Sequence, residues 1–165
     1  MWLCFFTFIV MKEQLFTAIR DENFEKVSEL LSAQPDMVHE KDARGSTPLL
    51  LATYYGLEEI SAEILKYQQP IDAQDASGNT ALMGVSFKGF TTIAELLLET
   101  GADANKINFN GATPLIFAAT FGHIEIIKLL LKHGANPNIK DDKGNTALDH
   151  ARMQKATAVI ELLEN

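Results

Sequence analysis

The sequence predicts an all-α fold: a solenoid of stacked antiparallel helix pairs joined by β-hairpin-like turns. Three observations carry this. Polar, glycine and leucine columns recur every 33 residues; each recurrence opens with turn residues followed by a helix-starting Thr; and two helix-periodic apolar stretches then follow, parted by a glycine.

The period is read first from its punctuation. Gly-x-Thr stands at Gly45/Thr47, Gly78/Thr80, Gly111/Thr113 and Gly144/Thr146. Asp42, Asp75, Asn108 and Asp141 precede these glycines by three, and Leu49, Leu82, Leu115 and Leu148 follow them by four. Gly56, Gly89 and Gly122 form another column, and Leu65, Leu98 and Leu131 one more. Asp/Asn-x-x-Gly is turn chemistry, since the side chain bonds nearby backbone and Gly accepts positive φ. Thr then stands where an N-cap belongs, its hydroxyl accepting from an orphan helix N–H. Pro48 and Pro114 follow directly, at the first helical position, where a missing N–H costs nothing.

The unit 108–140 is the clearest. A short Leu/Ala-rich helix runs from Thr113 to Thr120 and Gly122 ends it. A second spans His123 to His133, apolar at Ile124, Ile127, Leu130 and Leu131, and Gly134 stops it. One such pair cannot bury its own apolar face and must stack on its neighbours. The stretch from Asn108 to Asp141 resembles the ankyrin repeat almost column by column, with Ile116 where the family has His and Pro137 inside the closing loop.

The resemblance extends over Met11 to Asn165 and orders the chain. Residues 11–41 form an N-terminal cap whose helix pair, Leu15 to Leu31, lacks the Asp-x-x-Gly-x-Thr-Pro turn, with one extra residue before Asp42. Full repeats follow at 42–74, 75–107 and 108–140. The first ends in QQPID, where GADxN is expected, so its closing turn departs from the pattern. The second carries Ala81, Met83, Gly84 and Val85 at the start of its inner helix. Residues 141–165 form a C-terminal cap, and polar caps are what a water-exposed solenoid requires.

Residues 1–10, MWLCFFTFIV, are apolar except Thr7. No basic residue precedes the run and no small-x-small cleavage site follows. A membrane span needs about 20 apolar residues, and this run stops at Lys12. The reading preferred is a true start at Met11. An export or anchor segment is the alternative, and a segment packed on the first helix the third.

With 47% hydrophobic and 22% charged residues, a buried core is feasible and general disorder is not expected. A net charge of −8 and no Lys/Arg cluster disfavour nucleic acid and anionic membrane. The lone Cys4 forbids an internal disulfide and suits a reducing, cytoplasmic setting, unless residues 1–10 target the chain elsewhere.

No catalytic or metal pattern emerges, and no cofactor is expected. His39, His123, His133 and His150 have no metal-ligand spacing, and none pairs with a nucleophile. Resemblance gives His123 a structural bond to the turn, and His133 closes a helix. Glu58, Glu59, Glu63, Glu95, Glu99, Glu161 and Glu164 read as a solvated outer face. Asn105 and Asn138 match an asparagine that certain hydroxylases modify in family members, although a structural role explains both.

The expected function is a non-catalytic protein-protein interaction module: an adaptor, an inhibitor or an immunity-type partner acting as a monomer. An exported or membrane-tethered accessory protein is the alternative, and a small-molecule binder or enzyme using the groove is a weaker one. The resemblance puts a protein partner across the concave side, on inner helices and turn tips. The two columns before the inner-helix glycine hold Tyr54 and Tyr55, Phe87 and Lys88, Thr120 and Phe121, then Met153 and Gln154; the tips add Arg44, Ser77, Asn79, Phe109, Asn110 and Lys143. From these the candidate binding residues are Arg44, Tyr54, Tyr55, Phe87, Lys88, Phe109, Asn110, Phe121 and Met153. Aromatics are favoured at interface centres. For Phe87 and Phe121, packing on the neighbouring repeat explains the ring equally well. The three cations suit a partner with some acidic groups.

Overall fold

The computed structural model describes residues 2–164, with side chains from Phe8 onward, so the Cys4 side chain lies outside the described residues. Among the described residues it contains ten α-helices and no strand. They are α1 (Trp2–Arg20), α2 (Phe24–Ala33), α3 (Pro48–Tyr54), α4 (Glu58–Ile64), α5 (Ala81–Lys88), α6 (Thr91–Glu99), α7 (Pro114–Phe121), α8 (Ile124–Lys132), α9 (Ala147–Met153) and α10 (Thr157–Glu164). Each odd helix pairs with the even helix after it. The odd helices α1, α3, α5, α7 and α9 pack in succession as an inner row, and α2, α4, α6 and α8 as an outer row.

The Thr column starts the inner helices as expected. The hydroxyls of Thr47, Thr80, Thr113 and Thr146 each accept the N–H three residues on. The Asp/Asn column shapes the turn before them: one oxygen of Asp42, Asp75, Asn108 or Asp141 accepts two backbone N–H groups, two and four residues on. Burial works against charge on Asp141, yet bonds from the N–H of Asn145, the His150 ring and the N–H of Lys143 outweigh it and hold its carboxyl below the usual range.

The core runs the length of the stack. Leu49, Leu82 and Leu115 occupy one buried column of the inner helices. Ile60, Ile93 and Ile126 occupy one on the outer helices, and Ile64, Leu97 and Leu130 another. Full burial of each such side chain is worth about 1.5–3 kcal/mol. On α8 the buried set is Ile126, Ile127 and Leu130, with Ile124 and Leu131 packed partly against it. At the N-terminal end the extra residue before Asp42 is taken up by a 3-10 turn, Pro35–His39, that buries Met37 and Val38.

Three local findings go beyond the sequence expectations. First, α1 continues without a break from residue 2 to residue 20; its core contacts come from Leu15, Phe16, Ala18 and Ile19, with Phe8 and Met11 packed partly against them. No helix among the described residues is long and apolar enough to cross a membrane. Second, the irregular QQPID segment still closes its unit. The Asp72 carboxylate accepts the N–H of Asp103 at 3.1 Å, the task that the Asn105 carboxamide performs for the N–H of Asn136. Burial pushes the Asp72 carboxyl above its ordinary value; the Asp103 N–H pulls the other way and the Asp103 charge adds to the rise. Third, Glu63 is not part of the solvated face. It is buried on α4, where Ser28 Oγ donates to it from α2 at 3.1 Å and Lys66 forms an ion pair one turn on. The other six glutamates of that group are exposed.

Candidate functional site

One backbone conformation ends the inner helices α3, α5, α7 and α9: Gly56, Gly89, Gly122 and, in the same column, Lys155 all have left-handed φ. Gly89 and Gly122 are the C-caps of α5 and α7, with φ of 86° and 75° in the left-handed region. This ending turns the last residues of each inner helix outward, beside the turn tips. Tyr54 (53% exposed), Phe87 (41%), Phe121 (50%) and Met153 (56%) project there, and Tyr55 stands next to Tyr54. Of the nine large apolar side chains exposed among the described residues, five lie in these two columns. Phe109 and Ile107 lie on a connecting turn, Ile9 and Val10 on α1, and none on an outer helix.

Several of these residues meet. Tyr54 and Tyr55 contact edge-to-face, centroids 5.6 Å apart. The Lys88 ammonium sits 4.7 Å from the Tyr54 ring centroid, bridging from α5 back to α3. Phe87 packs edge-to-face on Phe121 at 4.6 Å and on Phe117 at 6.4 Å. Edge-to-face pairs contribute about 0.5–1.5 kcal/mol each beyond burial, so the row is partly self-ordered while its outer surfaces stay open. Phe87 and Phe121 therefore both pack between repeats and remain half in solvent. Phe109 stands apart from this cluster, 67% exposed, its ring over the Gly78 turn. Arg44 and Asn110 are exposed on their tips; the Asn110 N–H is held by Asn108 and its carbonyl accepts the Asp142 N–H. Among the described residues no carboxylate pairs with Arg44, Lys88 or Lys143, while Arg20 is bonded to Asp42 at 3.0 Å.

A groove of about 790 Å³ opens between α3, α5 and the two turns before them. Its floor includes Leu50, Leu51, Met83 and Gly84; Tyr54, Tyr55, Phe87 and Phe117 flank it, with Arg44 and Ser77 at the tips. Sequence reasoning did not pick out this groove, although a signal existed. Gly84 shares a column with Leu51, Phe117 and His150, and nothing lies within 4 Å of where its Cβ would be. The turns also stand farther apart here. A methyl added at Gly78 would lie 2.7 Å from Phe109 N and one at Gly111 3.0 Å from Asp142 N, but one at Gly45 would lie 3.9 Å from Ala76 N. Correspondingly, Phe109 N–H donates to Ser77 O and Asp142 N–H to Asn110 O, and no such bond joins Ala76 to Arg44.

The histidines do structural work where they make bonds. The turn that His123 bonds is the one in the preceding repeat: its Nε2 lies 3.1 Å from Phe87 O at the end of that inner helix, and its ring covers Gly89. His150 Nε2 meets Asp141 Oδ2 at 2.7 Å, bracing the last turn. His39 ends the 3-10 turn and His133 caps α8; both are exposed. Asn105 donates to Gly134 O at 2.9 Å and accepts from Asn136 N–H at 2.6 Å, tying two closing loops together. Among the described residues no group of three or more His, Cys, Asp or Glu is arranged to hold a metal ion.

Comparison with curated proteins finds no match to the chain. A family model described as "Ankyrin repeats (3 copies)" matches residues 15–108 and 83–165. Repeats of this kind generally serve protein–protein interaction and are typically non-catalytic. With the 33-residue period, the paired helices and this match in agreement, the chain belongs to the ankyrin repeat family.

Proposed function

We infer that this chain is a non-catalytic binding module that receives a partner protein across its inner-helix face. One observation carries the reading: exposed large apolar side chains gather at the ends of α3, α5, α7 and α9 and are absent from the described outer helices. Tyr54, Tyr55, Phe87, Phe121 and Met153 are its apolar contacts, Arg44 and Lys88 its cations, and Phe109 and Asn110 its tip contacts. Contiguous exposed apolar surface of this kind marks interaction sites, and aromatic anchors dominate their energetics. The module acts as an adaptor, an inhibitor or an immunity-type partner, in the cytoplasm and as a monomer.

The test is a crosslinked pull-down with the full chain beside a variant carrying Tyr54→Ala, Tyr55→Ala, Phe87→Ala and Phe121→Ala. Circular dichroism checks that the variant folds. A partner held by the parent and lost by the folded variant supports the reading. A partner held equally by both moves the site to the outer helices or to α1.

A further inference from the structure

We propose that the groove above Gly84 is a single-residue socket that takes one large apolar side chain of a partner protein segment, with an adjacent carboxylate of that segment meeting Arg44. This rests on the inner-face reading above and names the chemistry of its occupant.

The socket follows from one column. At Leu51 and Phe117 the inner helices before and after α5 place large side chains on the groove; at Gly84 between them there is none. Nothing fills the space: the Cβ position of Gly84 has no neighbour within 4 Å. One side chain is absent from the column, and Leu51, Met83, Phe87 and Phe117 line the same groove. The backbone does not require glycine there. Gly84 lies inside α5, its N–H donates to Thr80 O, and its φ is not positive. A helical glycine with no conformational need lowers helix stability relative to any ordinary residue. The groove of about 790 Å³ falls within the range of ligand clefts, enough for an anchor and its flanking backbone.

Charge selects the neighbour of the anchor. The chain carries a net charge of −8, yet the carboxylates lining this groove are already engaged. Asp42 is paired with Arg20, and both Asp42 and Asp75 accept turn N–H groups. Arg44 lines the same groove with no carboxylate partner among the described residues, and Lys88 rests on the Tyr54 ring at its rim. A segment pairing an apolar anchor with Asp or Glu complements both features. A basic segment would meet Arg44 and Lys88 as like charges, and Asp42, the carboxylate beside Arg44, is already paired with Arg20.

The test uses a phage-displayed library of random 12-residue peptides selected on the full chain. Recovered sequences are then measured as synthetic peptides by fluorescence anisotropy against the parent, Gly84→Leu and Arg44→Glu. Gly84→Leu fills the socket within a helix that favours leucine, so its melting temperature is expected to equal or exceed that of the parent; Arg44→Glu changes only an exposed tip. The expected peptides carry one large apolar residue within four positions of an Asp or Glu. Each variant should weaken them at least tenfold, and replacing the peptide acid by its amide should weaken binding to the parent but not to Arg44→Glu. Peptides that bind Gly84→Leu as well as the parent but are lost on Tyr55→Ala/Phe121→Ala overturn the socket and leave the inner-face reading standing. Peptides indifferent to all these changes, enriched basic peptides, or no enrichment at all also overturn the socket; the pull-down above then decides the broader reading.

Discussion

Replacing Gly89 and Gly122 by alanine separates backbone strain from packing, because the two positions share the first and differ in the second. Both end an inner helix with left-handed φ, 86° and 75°. An alanine there carries a conformational cost of about 1–2 kcal/mol. At Gly122 the added methyl meets nothing within 4 Å; at Gly89 it would lie 2.7 Å from the His123 ring. That ring must move, and its bond to Phe87 O, worth roughly 1 kcal/mol, goes with it. Gly122→Ala should therefore lower stability by about 1–2 kcal/mol. Gly89→Ala should lower it by about 2–3 kcal/mol once the lost bond is added. In a chain of this size each kcal/mol displaces the melting temperature by roughly 2–4 °C. Urea unfolding followed by circular dichroism measures both, and a cycle through His123→Ala isolates the contact. In the His123→Ala background, Gly89→Ala should cost no more than Gly122→Ala does in the parent. Equal costs for the two glycines in the parent, or strict additivity of Gly89→Ala with His123→Ala, would refute the reasoning. The same logic applies to Gly56, whose methyl would lie 2.9 Å from the Phe90 ring.

Three other outcomes follow from the same contacts. Among the described residues the buried hydroxyls of Ser61 and Ser86 have no hydrogen-bond partner, while Ala94 and Ala119 occupy the equivalent positions one repeat on; Ser86→Ala should raise stability by about 1 kcal/mol in urea titration, and a loss would show an unrecognised bond. The bond from Lys66 first, and that from Ser28 with it, outweigh burial and hold Glu63 below the usual carboxylate range. Its stabilising contribution is thus complete above the ordinary glutamate value of about 4.3 and is lost as pH falls through the lower folded value. Glu63→Gln should flatten that acid limb in pH-dependent unfolding, and a limb as steep as the parent's would reassign it to other carboxylates. A chain begun at Met11 should keep a single cooperative transition, since Leu15, Phe16, Ala18 and Ile19 supply the fully buried contacts described for α1; loss of that transition on heating would give residues 1–10 a structural role.

The features legible in the sequence are those set by neighbours a few residues away. Thr47 and its equivalents cap helices through a bond spanning three residues, and Asp42 and its equivalents shape turns spanning four, so columns of residue types expose them. What stayed hidden depends on the adjacent repeat. Glu63 reads as a surface acid on its own helix, yet Ser28, 35 residues away, helps bury it. Asp72 breaks the closing pattern by residue type but keeps its bonding role across 31 residues, because a carboxylate accepts an N–H as a carboxamide does. The exposed rings were found from their columns, since inner-helix ends face outward once the glycine after them is fixed. The Gly84 groove was not, because an absent side chain matters only when the spacing of its neighbours is known.

The missing backbone bond between the turns at Arg44 and Ala76 leaves one joint whose turns are linked through a side chain instead, the Lys41 ammonium donating to Gln74 O at 3.4 Å. In elastic language that joint is the softest coil of the spring. Opening there strains side-chain packing but breaks no turn-to-turn ladder, whereas opening at Phe109 or Asp142 must break one. The Ala76 amide should accordingly exchange with deuterated solvent faster than those of Phe109 and Asp142. Whatever lies across this joint serves as a splint, stiffening the two halves of the molecule against each other.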